Sequence, residues 1–217
     1  YKPVACAVDE YGRIFVVSST TYQGIIVMNT DGDFFGFIGA QKVTISALQI
    51  LWRKIQTQEQ RDQSEEYIST EFNNITIDKD NFIYVTTSSI DEGQQQHAIQ
   101  SKSKSSDYAP VKKLNASGAD VMKRNGFYPP SGDVRITNLS TANITGPSKI
   151  IDVACGPEGT WSIIDEKRSK VFTYDDNGTL LFAFGDKTGT QIGNIDSLEA
   201  IVYQGSKILL LDKTNDN

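Results

Sequence analysis

The strongest constraint on the fold of this chain is an internal repeat. Residues 26–39 read IVMNTDGDFFGFIG and residues 172–185 read FTYDDNGTLLFAFG, and the two stretches align without a gap. In each, a run of β-branched or aromatic residues precedes a polar turn whose glycine, Gly32 or Gly178, tolerates a positive φ. A second apolar run follows and ends at Gly39 or Gly185. Each copy is therefore predicted to be a β-hairpin.

A second repeat accompanies the hairpins. Four stretches consist of an apolar strand, a polar turn and another apolar strand: VACAVDEYGRIFVVSS from residue 4, NNITIDKDNFIYVTTSS from residue 73, IIDVACGPEGTWSIID from residue 150 and EAIVYQGSKILLLDK from residue 199. Their turns carry Gly12, Asn81, Gly159 and Gly205. Asn fits this pattern because it tolerates left-handed backbone better than most residues other than Gly. Strand pair and hairpin together predict units of four short antiparallel strands.

Four-stranded units repeated at roughly forty residues are typical of a β-propeller. We expect blade one at about residues 2–39, blade two at about 72–125, blade three at about 147–185 and half of a fourth blade at about 197–213. The predicted fold class is all-β: an incomplete propeller of three and a half blades. The order Val/Ile-Asp, turn Gly, strand, Gly-Ile-Ile-Val, Asp-Gly, Phe, Gly resembles the NHL repeat family, whose members form propellers. Blades one and three carry the resemblance, and blade two matches it least.

Two insertions interrupt the repeat. After the first hairpin, Ile45, Leu48, Trp52 and Ile55 recur at helical spacing, which predicts a helical insertion at about residues 43–68 between blades one and two. Trp52 is then expected either to pack on a blade or to lie exposed beside Arg53 for a partner. Within blade two, a stretch rich in Ser, Gln and Lys has no periodicity and predicts a mobile loop at about residues 91–108.

Two aspartates occupy equivalent positions in the repeat and raise the possibility of a metal site. Asp9 and Asp78 each precede a tight turn, and the third equivalent residue is Gly156. An Asp before a turn usually accepts hydrogen bonds from the backbone of that turn, and this is the role we expect. Propeller lactonases of the gluconolactonase type resemble this architecture and bind a divalent cation through Glu, Asn and Asp side chains from several blades. No such set is evident in this sequence.

Histidine and cysteine content narrows the possible chemistry. His97 is the only histidine and falls in the predicted loop, so a histidine-based acyl-transfer triad is not expected. Cys6 and Cys155 lie on the first strands of blades that are not neighbours, whereas a disulfide needs Cα atoms within about 7 Å. Both are expected to be buried free thiols.

Charge and composition limit the kinds of partner that we expect. The net charge is −6 and no Lys/Arg cluster accompanies aromatics, so nucleic acid is not an expected partner. No apolar run approaches the roughly 20 residues of a membrane span, and no signal peptide is evident in this segment. We expect no cofactor and no bound metal.

The predicted function is a non-catalytic binding or scaffold module of a larger, bacterial, extracytoplasmic or cell-surface protein. Its expected partner is a protein or carbohydrate ligand, and the candidate binding residues are Trp52, Arg53 and Tyr108. The alternative is a metal-dependent hydrolase of the propeller-lactonase kind, and a purely structural spacer is a third possibility. Because an incomplete propeller leaves apolar faces uncovered, either further residues complete the ring or the chain self-associates through its terminal blades.

Overall fold

The computed structural model of this protein describes residues 1–21, 23–39, 72–87, 90, 92–101, 108–124, 132–133, 146–187 and 194–213. Within these ranges the chain is all-β apart from one α-helix and a short 3-10 turn. The predicted helical insertion at residues 43–68, with Trp52 and Arg53, lies outside the described residues.

Four antiparallel sheets follow one another along the chain, and we call them blades one to four. Blade one contains β1 (Pro3–Val8), β2 (Ile14–Ser18), β3 (Ile25–Met28) and β4 (Phe34–Ile38). Blade two contains β5 (Asn74–Ile77), β6 (Ile83–Thr86) and β7 (Val111–Leu114), with α1 (Glu92–Gln100) between β6 and β7. Blade three contains β8 (Ile150–Cys155), β9 (Trp161–Asp165), β10 (Lys170–Tyr174) and β11 (Leu180–Phe184), and blade four contains β12 (Leu198–Gln204) and β13 (Lys207–Asp212). The predicted all-β fold of successive antiparallel sheets is thus confirmed, and blades one and three have the predicted four strands.

The turn glycines adopt the backbone conformation that the sequence predicted. Gly32 and Gly178 in the hairpins have φ values of 87° and 78°, and Asn81 reaches 62°. Gly118 requires glycine for a second reason, because a Cβ at this position would lie 2.3 Å from the backbone nitrogen of Gly39. Its φ of 81° and this close approach together exclude any side chain.

Successive blades pack face to face through their first strands: β1 contacts β5, β5 contacts β8, and β8 contacts β12. Alternate residues of each strand point to opposite faces, so each middle blade buries two apolar faces. The junction of blades one and two is formed mainly by Phe15, Val17, Ile25, Val27, Ile75, Ile83, Val85 and Leu114. Blades two and three meet at Tyr84, Val111, Met122, Ile150, Val153, Trp161, Ile163, Phe172 and Tyr174, and blades three and four at Ala154, Ile164, Val171, Leu198 and Ile201.

Blade two departs from the four-strand pattern. Its fourth strand is reduced to one bridge between Leu114 and Asp120. Side chains replace the missing ladder: Asp120 Oδ1 accepts from the N–H of Met122 at 3.0 Å, and Arg124 Nη2 donates to the carbonyl oxygen of Val111 at 3.1 Å. Asp120 and Arg124 also bond to each other at 2.8 Å, which holds this segment against β7 without regular strand pairing.

The prediction of a mobile loop at residues 91–108 was wrong for the first half of that range, because residues 92–100 form α1. Gln and Ala are good helix formers, and Glu92 carries a negative charge in the first turn, where it is favourable. The helix has no apolar stripe, so a search for hydrophobic periodicity could not find it. None of the helices within the described ranges is long and apolar enough to cross a membrane.

The cysteines are free, as predicted, but Cys6 is exposed rather than buried. Both thiols point to the same side of their blades. Cys155 packs at the junction with blade two, whereas none of the described sheets covers the corresponding face of blade one. Burial raises the pKa of the Cys155 thiol to about 12, so it is unreactive as a nucleophile at neutral pH.

Candidate functional site

Each blade has two unlike ends. The turns between first and second strands, and between third and fourth strands, lie at one end, which we call the turn end. The connection between second and third strands lies at the opposite end, which we call the connection end; each first strand also starts there. The long connections at residues 87–110 and 121–149 enter blades two and three at the connection end, while the turn end carries only short turns.

One side-chain motif is repeated along the turn end. In five turns, an Asp or Asn side-chain oxygen accepts hydrogen bonds from the backbone N–H groups two and four residues later. These residues are Asp9, Asn29, Asp78, Asn115 and Asp175. The predicted turn role of Asp9 and Asp78 is therefore confirmed. Gly156 has no such side chain, and its turn is closed instead by Thr160, whose Oγ1 donates to the carbonyl oxygen of Pro157 at 2.6 Å.

A lysine ties two blades together at the turn end. Lys113 Nζ lies 2.8 Å from Asp176 Oδ1 in blade three and 3.6 Å from Asp78 Oδ2 in its own blade. It also lies over the ring of Phe82, 4.6 Å from the centroid. The hydrogen bond from Lys113 lowers the pKa of the Asp176 carboxyl. Both carboxylates already pair with a lysine, so we interpret the cluster as a link between two blades and not as a cation site.

The predicted binding residue Tyr108 lies at the connection end, where the chain enters β7, and its side chain is exposed. His97 lies on the exposed side of α1 in the same connection. The ion pair of Glu92 with Lys167 links the start of α1 to the β9–β10 connection of blade three. The structure thus brings Tyr108 and α1 to one end of the molecule, but it gives no placement for Trp52 and Arg53.

A buried charged network supports the connection end of blade three. Asp165 is fully buried at the end of β9, and its carboxylate accepts from Ser148 Oγ at 2.7 Å and from the N–H of Lys167 at 2.9 Å. Arg168 is 3% exposed and pairs with Asp165 at 3.2 Å and with Asp133 at 3.5 Å. The pairing and hydrogen bonding offset the cost of burying these charges. The network anchors residues 132–133 and 146–148 to blade three.

A carboxyl on the first strand of blade three joins three blades. Asp152 in β8 accepts from Asn74 Nδ2 of blade two at 2.5 Å and from the N–H of Ile201 of blade four at 2.8 Å. Burial raises the pKa of the Asp152 carboxyl to about 6, although the N–H groups of Ile201 and Val153 lower it. Sequence reasoning missed Asp152, Lys113 and Arg168, because their partners lie on other blades and no local pattern marks them.

The titratable residues of the described ranges do not form a cluster of three or more His, Cys, Asp or Glu side chains suited to a metal ion. Lys113 and Arg168 each meet two aspartates, so both clusters combine opposite charges.

The chain is similar in structure to two propeller-type enzymes, and it spans about half of their length. A streptogramin B lyase matches with a TM-score of 0.53 at 9% identity, over 98% of this chain and 49% of the lyase. A catalytically inactive virginiamycin B lyase from Staphylococcus aureus, solved with quinupristin, matches with a TM-score of 0.53 at 11% identity, over 99% of this chain and 50% of that one. At such low identity these likenesses show the β-propeller fold alone.

A gluconolactonase from Xanthomonas campestris matches with a TM-score of 0.48 at 12% identity, over 94% of this chain and 54% of the enzyme. No protein-family model matches the chain, and the comparison with curated proteins gave no match. What the chain shares with its structural neighbours is the β-propeller fold.

Proposed function

We propose that this chain is a non-catalytic binding module built from NHL-type blades, part of a larger bacterial extracytoplasmic or cell-surface protein. Its connection end recognises a protein or glycan ligand. The observation that carries this proposal is the contrast between the two ends of the blades. Five turns at the turn end follow one hydrogen-bonded design, whereas the connections at the connection end range from residues 166–169 in blade three to residues 87–110 in blade two, which include α1. Binding residues are commonly found on loops that a rigid scaffold positions.

Tyr108 is the described residue that best fits a ligand contact. An exposed tyrosine combines an apolar ring, which can stack on a sugar or an apolar side chain, with a hydroxyl that donates and accepts hydrogen bonds. It immediately precedes Ala109, and both Ala109 and Val111 are buried, so its backbone is held by the core of blade two. Trp52 and Arg53 belong to the connection that leads into the same blade, and we include them as proposed contacts.

The proposal is tested by screening the chain on an array of immobilised oligosaccharides and on an array of surface-protein peptides. The expected result is saturable binding to a small set of probes, with affinity reduced about tenfold or more by Tyr108→Ala. Tyr11→Ala is the matched control, because Tyr11 is an exposed tyrosine at the turn end. Equal loss in both variants would contradict recognition at the connection end.

The same preparation distinguishes the alternative of a metal-dependent lactonase. The chain is incubated with a panel of sugar lactones and added Ca²⁺, Mg²⁺, Mn²⁺ or Zn²⁺. Under the proposed function, ring opening stays at the rate of the metal-containing buffer. Turnover that chelation abolishes and metal restores would overturn the non-catalytic assignment.

A further inference from the structure

A small open cavity lies between blades one and two, among the turns of the turn end. Its volume is about 220 Å³. Apolar side chains line much of it, namely Phe15 and Ile38 of blade one and Phe82 and Ile83 of blade two. Its walls also include two charged residues of opposite sign, Arg13 from blade one and Asp80 from blade two. The cavity thus combines an apolar lining with one positive and one negative charge.

The parts of the two blades that form this cavity are fixed by other contacts. Phe15 and Ile83 are each 2% exposed and belong to the core of the junction between blades one and two. Asn81, which also lines the cavity, donates from Nδ2 to Glu10 Oε1 at 2.6 Å and so links the turns of the two blades. Small-molecule sites are commonly preformed and mostly apolar, with a few polar groups that orient the ligand. The cavity has these properties.

The Arg13 guanidinium is held in place but keeps two donor nitrogens available. Its Nε donates to Asp9 Oδ2 at 2.7 Å. Its Cζ lies 5.7 Å from the ring centroid of Tyr11 and 5.6 Å from that of Phe15. None of the residues that the structure describes accepts a hydrogen bond from Nη1 or Nη2, and the side chain is 39% exposed. The two Nη atoms of a fixed guanidinium are well suited to bind a carboxylate.

Asp80 is the negative group on the wall of blade two. Its backbone N–H donates to Asp78 Oδ1 at 2.9 Å, which fixes the residue within its turn. Its own side chain is exposed, and among the described residues it forms neither a hydrogen bond nor an ion pair, including with Arg13. A ligand with both a carboxylate and an ammonium group would complement both residues, whereas a ligand with a single charge would leave one of them without a partner.

We propose that this cavity binds a free amino acid with an apolar side chain, in its zwitterionic form. The carboxylate binds the Nη atoms of Arg13, the ammonium group binds Asp80, and the side chain packs on the apolar lining. Sites for drug-sized ligands start at about 300 Å³, so the smaller volume here favours a ligand of amino-acid size. The site lies at the turn end and does not depend on the ligand proposed for the connection end.

The test is a titration of the isotope-labelled chain with L-leucine and with L-phenylalanine, followed by NMR. With at least one of them we expect saturable shifts of the Asn81 and Ala116 amides and of the Arg13 Nε–H, at micromolar to millimolar concentration. Each amino acid is compared with its analogue without the amino group, isocaproate or hydrocinnamate. The amino acid should bind about tenfold more tightly than the analogue, because only the amino acid provides a partner for Asp80.

The variants separate the charge effect from the fold. Asp80→Asn should weaken amino-acid binding about tenfold without weakening binding of the analogue, as in a double-mutant cycle. Asp31→Asn is the matched control, because Asp31 is an exposed aspartate at the equivalent position of a blade-one turn, outside the cavity. Ala116→Phe should abolish binding of both compounds, because Ala116 is an exposed turn residue that lines the cavity and a phenyl ring there would fill it. Tyr108→Ala at the connection end should bind like the wild type.

Circular dichroism confirms that each variant is folded before it is compared. The proposal would be wrong if neither amino acid gave saturable shifts, or if the shifts lay away from Arg13 and Asn81. Equal weakening of amino acid and analogue by Asp80→Asn would also overturn it, as would retained binding in Ala116→Phe. Loss of amino-acid binding in Tyr108→Ala would place the ligand at the connection end instead. The function proposed above is tested with oligosaccharides and peptides, so either proposal can fail without the other.

Discussion

At the scale of single residues, Asp152 has the most consequential environment, because one carboxyl receives donors from blade two, blade four and its own strand. Its pKa is raised from 3.8 to about 6, so the folded chain holds the proton more tightly than the unfolded chain does. The stability that this group contributes is full below its unfolded pKa and is lost as the pH rises through about 6. A carboxyl pKa raised from 3.8 to about 6 corresponds to roughly 3 kcal/mol of folding stability at acid pH.

As the pH rises from about 4 to about 6, we therefore expect the free energy of unfolding of the wild type to fall relative to that of Asp152→Asn. The variant carries no titrating group at this position, so it lacks this pH-dependent contribution. Urea unfolding at a series of pH values measures the difference, with Asp31→Asn at an exposed turn as control. Parallel stability profiles for wild type and Asp152→Asn would show that burial does not perturb this carboxyl.

At the scale of elements, the repeated turn motif predicts which substitutions each turn tolerates. Asp175 Oδ1 accepts from the N–H groups of Asn177 and Thr179 at 2.9 and 2.8 Å. Asp175→Ala removes both bonds and should lower the free energy of unfolding by roughly 1 to 3 kcal/mol. Asp175→Asn should be close to neutral, because Asn29 and Asn115 make the same contacts with an amide oxygen.

Thermal or urea denaturation measures these effects. Asp31→Ala is the matched control, since Asp31 lies exposed within an equivalent turn, and its substitution should change stability by less than about 0.5 kcal/mol. A loss in Asp175→Asn as large as that in Asp175→Ala would mean that charge, rather than hydrogen bonding to the turn, is what stabilises this position.

At the scale of the whole molecule, the main strand contacts between blades of the described residues join neighbours in sequence, so local stability should follow the junctions. Ile163 and Ile164 are adjacent in β9 and both fully buried, but Ile163 faces blade two and Ile164 faces blade four. Truncation of either to Ala should cost roughly 2 to 5 kcal/mol. Amide hydrogen exchange should then show lost protection mainly in β5–β7 for Ile163→Ala and mainly in β12–β13 for Ile164→Ala. The same exchange pattern in both variants would show that the blades unfold as one unit.

The sequence alone determined the repeated strands, the antiparallel pairing and the turn positions. Gly32, Asn81 and Gly178 could be placed correctly because a tight turn depends on a few adjacent residues whose φ preferences are intrinsic. The same local chemistry correctly assigned Asp9 and Asp78 to their turns. The helix α1 escaped prediction because its formation depends on Gln and Ala propensity rather than on an apolar stripe.

Only the tertiary structure decided which face of each strand is covered and which charges meet. Cys6 and Cys155 lie on the first strands of their blades with the same facing, yet one is exposed and the other is packed, because only Cys155 has a neighbouring blade against it among the described residues. The pairing of Asp152 with Asn74 and Ile201, and of Lys113 with Asp176, joins residues separated by 49 to 78 positions. Such contacts depend on how whole blades are arranged relative to one another. That arrangement cannot be predicted from the residues that are adjacent in sequence.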